Sequence, residues 1–128
     1  MTDVDKELIE AAKNGDLRGA QRAIDNGADV NAQDKNGVFQ RSPRPLMWAS
    51  FKGHTEIVKL LLDHGADPNV RYGDAIPLVG ASDQGQIDIV RLLLDHGADP
   101  SFNNRSYLHR TALMWASFND HTEIVQLL

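Results

Sequence analysis

The chain has no cysteine among its 128 residues, which excludes disulfides and suits a reducing compartment; a cytoplasmic site is the expectation. No apolar run approaches the roughly 18 residues that a membrane span needs. The opening stretch MTDVDKELIEAAKNGD lacks a basic region followed by a continuous apolar core, so it does not read as a secretory signal. Positive charge is not in excess either. The net charge of -5 argues against nucleic acid, whose phosphates an acidic body repels.

Patterns that carry chemistry are missing as well. There is no Ser-His-Asp set, no His/Cys/carboxylate cluster at metal spacing, no phosphate-cradling glycine loop and no carboxylate pair outside a repeated frame. Asp63-His64 and Asp95-His96 look like acid–base pairs, yet they recur at the same point of successive copies and so belong to the frame. The chain is expected not to be an enzyme and to use no cofactor and no metal.

What is present is a repeat. GHTEIVKLLLDHGADPN, from Gly53 to Asn69, returns 32 positions later as GQIDIVRLLLDHGADPS, from Gly85 to Ser101, with 12 of 17 residues identical. A degenerate copy runs from Gly15 to Asn31, and a cut-off one, HTEIVQLL, spans His121 to Leu128. In the best copy Ile57, Val58, Leu61 and Leu62 fall on one stripe of an α-helix, and Leu60 widens it. Gly65 follows at the place where a helix ends in a left-handed residue, and Asp67-Pro68-Asn69 reads as a turn. Upstream, Pro45 to Phe51 and Ala112 to Phe118 predict a shorter helix, kept thin by Ala49, Ser50, Ala81, Ser82, Ala116 and Ser117. A helix over Asp3 to Asn14, followed by a weaker one over Leu17 to Asn26, opens the chain. One such unit cannot bury its apolar face alone, so the units must stack into a solenoid.

Pro-Leu-x-x-Ala, then Gly-His, then Ile-Val-x-Leu-Leu, then Gly-Ala-Asp-x-Asn resembles the ankyrin repeat, whose period is about 33 residues. The resemblance covers essentially the whole chain. It implies an all-α solenoid of helix-turn-helix units with β-hairpin or loop fingers and a concave groove formed by the fingers and inner helices. About four repeats are expected, the last truncated, in a single domain over residues 1–128 with repeats near 1–31, 32–69, 70–101 and 102–128. The family's Thr-Pro-Leu-His box is broken: Arg44 and Ile76 stand where the Thr would cap, and only Thr111 keeps it. By the same resemblance His54 and His121 stand at a turn histidine with a structural hydrogen bond.

Function is expected where the copies disagree. From the glycine to the start of the next inner helix the spacing is 18 residues for Gly27 to Pro45, 12 for Gly65 to Pro77 and 15 for Gly97 to Ala112, so length variation falls in the fingers. The fingers carry Phe39, Arg41, Arg44, Arg71, Tyr72, Arg105, Tyr107 and Arg110, a mixture enriched at interfaces. Counting Lys and Arg against Asp and Glu over 32–45, 70–77 and 102–111 gives +2, 0 and +2, a total of +4, leaving -9 on the rest. The alternative is that long fingers are solvated and mobile.

By register with the family, Phe51, Lys52, Asp83, Gln84, Phe118 and Asn119 lie at the groove end of the inner helices, with Trp48, Gly80 and Trp115 one turn earlier. Rings there favour partner binding; the alternative is that Trp48 and Trp115 fill gaps between repeats. Gly80 and Asp83 should form a dip with an acidic floor between aromatic walls. The expected function is a non-catalytic protein–protein interaction module whose partner presents an acidic surface to the basic fingers. Nucleic acid and membrane are not expected partners. The alternatives are a small-ligand or peptide receptor at the middle repeat, and a structural segment self-associating through the uncapped C-terminal repeat, where Ile124, Val125, Leu127 and Leu128 have no following copy.

Overall fold

The structure, a computed structural model, describes residues 2–33, 43–71, 76–101 and 111–128, without the side chains of Met114, Trp115 and Phe118. Among these residues eight helices follow one another: α1 Asp3–Asn14, α2 Leu17–Asp25, α3 Pro45–Lys52, α4 Thr55–Asp63, α5 Pro77–Asp83, α6 Ile87–Asp95, α7 Ala112–Phe118 and α8 Thr122–Leu127. Each odd-numbered helix packs on the even-numbered one after it. The odd helices also pack in series as an inner layer and the even helices as an outer layer. This is the all-α two-layer solenoid that the repeat predicts. The expected fingers fall mostly on residues outside the described set.

Local signals set the helix ends. Thr2 Oγ1 accepts from the Asp5 N–H at 3.3 Å and starts α1, with Asp3 and Asp5 at its positive end. Asp16 Oδ1 accepts from the Gly19 N–H at 2.9 Å and starts α2. Helices α3 and α5 begin on Pro45 and Pro77 with no side-chain cap from Arg44 or Ile76, as the broken box implies. Proline fits because the first helical N–H has no partner to lose.

The turn joining inner to outer helix is specified twice over. Gly15, Gly53 and Gly85 have φ of +77°, +80° and +74°, and Asp120 takes φ 59° at the fourth turn. Aspartate is one of the few residues that enter this region at modest cost. A Cβ on Gly15 would also stand 2.7 Å from His54 Cε1, and one on Gly85 would stand 2.8 Å from His121 Cε1. The next repeat therefore seats its histidine directly on the preceding turn.

The core lies between and within the layers. Ile57, Val58, Leu61 and Leu62 are buried, as are Ile89, Val90 and Leu93, while Ala20 and Ala23 do the same task with less volume in α2. Leu8, Leu46 and Leu78 occupy one register in successive inner helices and are 0%, 1% and 0% exposed, but Leu113 at the same register is 42% exposed. The next repeat is what covers this leucine. Ser50 and Ser82 follow the same rule: both are fully buried with Oγ unpartnered, whereas Ser117 is exposed. Fully buried hydroxyls of this kind cost about 1 kcal/mol or more each, and Ala12 holds the same register without that penalty.

A polar ladder runs beside the core. Asn31 Oδ1 accepts from the Asp67 N–H at 2.9 Å and Asn69 Oδ1 from the Asp99 N–H at 2.8 Å, each joining one repeat to the next. Asp5 Oδ1 plays this part for Asp29 at 2.8 Å. That hydrogen bond to the carboxylate is the main reason the Asp5 carboxyl is held below its usual range. A carboxyl lowered in the folded state stabilises the fold above its unfolded pKa, and the contribution is lost as pH falls through the folded value. Asp5→Asn keeps the acceptor, as Asn31 and Asn69 have it, but cannot titrate. Urea unfolding at several pH values is expected to show wild type losing more stability than Asp5→Asn between about pH 5 and pH 2; parallel curves would refute the assignment.

Candidate functional site

The inner helices end in a row of side chains that no core contact dictates. Trp48 is half-buried against the core and has two cations near its ring, Lys13 Nζ at 5.2 Å and Lys52 Nζ at 5.8 Å from the centroid. The body of Trp48 thus fills space against the core, and its ring faces two cations of its own chain. Phe51, on the same helix, is 52% exposed. Burying the half of this ring that remains in water is favourable by roughly 1–1.5 kcal/mol, about half of what a full burial gives.

The Gly80 position is partly occupied. Phe51 Cδ2 lies 3.5 Å from where a Gly80 Cβ would stand, an ordinary contact distance, so the ring leans over the glycine instead of walling an open dip. Two clefts formed by described residues, of about 450 Å³ along α1 and α2 and about 290 Å³ beside Gly85 and His121, do not include Gly80. Asp83 is half-buried and tied down: Asn119 Nδ2 donates to Oδ1 at 2.6 Å and Gln84 Nε2 donates to Oδ2 at 3.4 Å. Both donors are neutral amides, so the carboxylate is oriented while its charge is kept. Gln84 and Asn119 are exposed beside it, and Lys52 is exposed at the end of α3.

The structure thus brings Trp48, Phe51, Lys52, Asp83, Gln84 and Asn119 into one row along packed helices α3, α5 and α7. Trp115 and Phe118 belong to α7, and their side chains lie outside the described set. Phe39, Arg41, Tyr72, Arg105, Tyr107 and Arg110 lie outside the described residues altogether. Of the finger residues that are described, Arg71 is exposed, and Arg44 is half-buried at the start of α3 with a buried Nε that has no hydrogen-bond partner. Lys13 is absent from the sequence-based expectations although it touches the site. Aligning Lys13-Asn14-Gly15 with Phe51-Lys52-Gly53 puts it in the register of Phe51 and Asp83, and that was the available signal.

The four described histidines take scaffold positions. His54 Nε2 lies 3.4 Å from the Lys13 carbonyl oxygen and His121 Nε2 3.0 Å from that of Asp83, so each joins its repeat to the preceding turn. His64 Nδ1 and His96 Nδ1 reach the Leu60 and Leu92 carbonyls at 2.9 and 2.8 Å at the ends of α4 and α6. His96 Nε2 also lies 3.6 Å from Asp63 Oδ1 on the neighbouring outer helix. Their recurrence in the sequence follows from these repeated carbonyl contacts.

A family model described as ankyrin repeats in three copies matches residues 8–104 and again 77–128. The chain belongs to the ankyrin repeat family. Among curated relatives, the Arabidopsis thaliana E3 ubiquitin-protein ligase XBAT33 is 34% identical over 123 residues, which is 96% of this chain and 17% of that protein. Mouse 2-5A-dependent ribonuclease is 40% identical over 67 residues, 52% of this chain and 9% of its own length. Mouse ankyrin repeat domain-containing protein 40 is 38% identical over 65 residues, 51% of this chain and 17% of the relative. The chain thus spans less than a fifth of the length of these relatives.

Ankyrin repeats generally serve as protein–protein interaction modules and are generally not enzymes themselves. No helix among the described residues of this ankyrin array is long and apolar enough to cross a membrane. If Phe51 is a surface residue held for contact and not for the fold, Phe51→Ala leaves unfolding free energy within about 1 kcal/mol of wild type. A loss of about 3 kcal/mol or more in denaturant unfolding, as for a core aromatic, would place it in the frame.

Proposed function

We propose that this ankyrin array is a non-catalytic recognition module that holds another protein in its groove, with the irregular fingers forming the groove's outer edge. The observation that carries the reading is Phe51: a large ring, half in solvent, beside an oriented carboxylate at a row the repeat does not dictate. Trp48, Lys52, Asp83, Gln84, Asn119, Trp115 and Phe118 complete the inner contact row. Phe39, Arg41, Arg44, Arg71, Tyr72, Arg105, Tyr107 and Arg110 make the outer one, in a single domain over 1–128 acting in the cytoplasm. Relatives named for activities as different as a ribonuclease and a ubiquitin ligase share this array, which supports recognition as its contribution.

The fingers hold +4 of charge against -9 on the remainder, so they steer an acidic partner surface, while buried rings supply the affinity. Affinity capture with wild type and with Phe51→Ala is the test. Wild type is expected to retain a partner that Phe51→Ala loses by about tenfold or more, since 1.4 kcal/mol is a factor of ten. Adding salt is expected to slow association of that partner. Equal capture by both proteins would contradict the groove, and a salt-independent association rate would contradict steering.

A further inference from the structure

The row of contact residues has a charge order. At one end the ammonium groups of Lys13, from α1, and Lys52, from α3, approach the same Trp48 ring. His96 pairs with Asp63 on the outer helices, and neither lysine has a carboxylate of the described residues within 4 Å. The ring holds both cations by its negative face, and two positive charges gathered at one ring draw an anion to that end of the row. One helix further along, the sign reverses at Asp83, whose charge the neutral amides of Asn119 and Gln84 leave intact. Between the two ends lies the exposed face of Phe51, leaning over Gly80.

We propose that the groove selects a partner segment of opposite polarity, with an acidic residue at Lys13 and Lys52, an apolar side chain on Phe51 and a basic residue at Asp83. Packed helices stand roughly 8–10 Å apart, and an extended chain advances about 3.3 Å per residue. The acid lies between α1 and α3 and the base at α5, one and a half to two spacings or roughly 12–20 Å away, so they are about four to six positions apart in an extended segment. Charge order also sets the direction in which the segment lies, because reversing it would bring like charges together at both ends. This rests on the groove reading above and adds the chemistry of what the groove accepts.

Panning a displayed library of random dodecapeptides against the wild type, Asp83→Lys, the double variant Lys13→Ala with Lys52→Ala, and Phe51→Ala tests the proposal. The wild type is expected to enrich peptides with an acid and a base about four to six positions apart around an apolar residue. Asp83→Lys is expected to enrich acids at both positions, and the double lysine variant to keep the base while losing the acid. Enrichment of the same peptides by wild type and Asp83→Lys, or of peptides without the charge pair, overturns the polarity and leaves the groove standing if Phe51→Ala abolishes capture. If no peptide is enriched over the Phe51→Ala control, both readings fall together.

Discussion

Each helix pair in this chain depends on its neighbour to keep water off its apolar face. The dependence is visible at a single register of the inner helices, where Leu8, Leu46 and Leu78 are sealed by the repeat that follows and Leu113 is not. The side chain and the helix type are the same in all four places, and each turn behind it is left-handed, with Asp120 standing for glycine at the fourth; the three sealed leucines each have a further helix pair packed against their own. Stability in such an array is a sum over units and the interfaces between them. The interfaces hold the larger share here, because helices of seven to nine residues such as α3 to α6 are too short to persist in water alone.

Around that apolar seam the chain places polar contacts that fix how one unit sits on the next. Asn31 and Asn69 accept the N–H of the following Gly-Ala-Asp turn, and His54 and His121 cover the preceding glycine turn and reach its carbonyl. Apolar burial is non-directional, whereas these bonds are satisfied only in one register. The division of labour has a functional consequence. With the turns and core faces committed to stacking, the ends of the inner helices are the places where a side chain can vary without disturbing the frame.

The repeat made most of the fold legible. Ile57, Val58, Leu61 and Leu62 announce their burial by spacing, and Gly65 announces the helix end by its position. Two features were not legible. The lean of Phe51 over Gly80 depends on a rotamer, and no spacing rule reports where a ring swings when the neighbouring helix offers no side chain. The approach of Lys13 to Trp48 joins residues of different repeats, and it emerges only when the first, degenerate copy is aligned with the others. Ser50 and Ser82 keep the inner helix thin, as their size implies, but their unpartnered hydroxyls are a cost that composition does not disclose.

The array therefore offers recognition on a frame held by its own interfaces, and the claim beneath everything else is that burial of the inner leucines comes from the following repeat. Urea unfolding of Leu78→Ala and Leu113→Ala, side by side, tests it most directly. The account predicts a loss of about 2–5 kcal/mol for Leu78→Ala, the range for a buried leucine, and less than about 1 kcal/mol for Leu113→Ala at its exposed position. Equal losses at the two sites would contradict it.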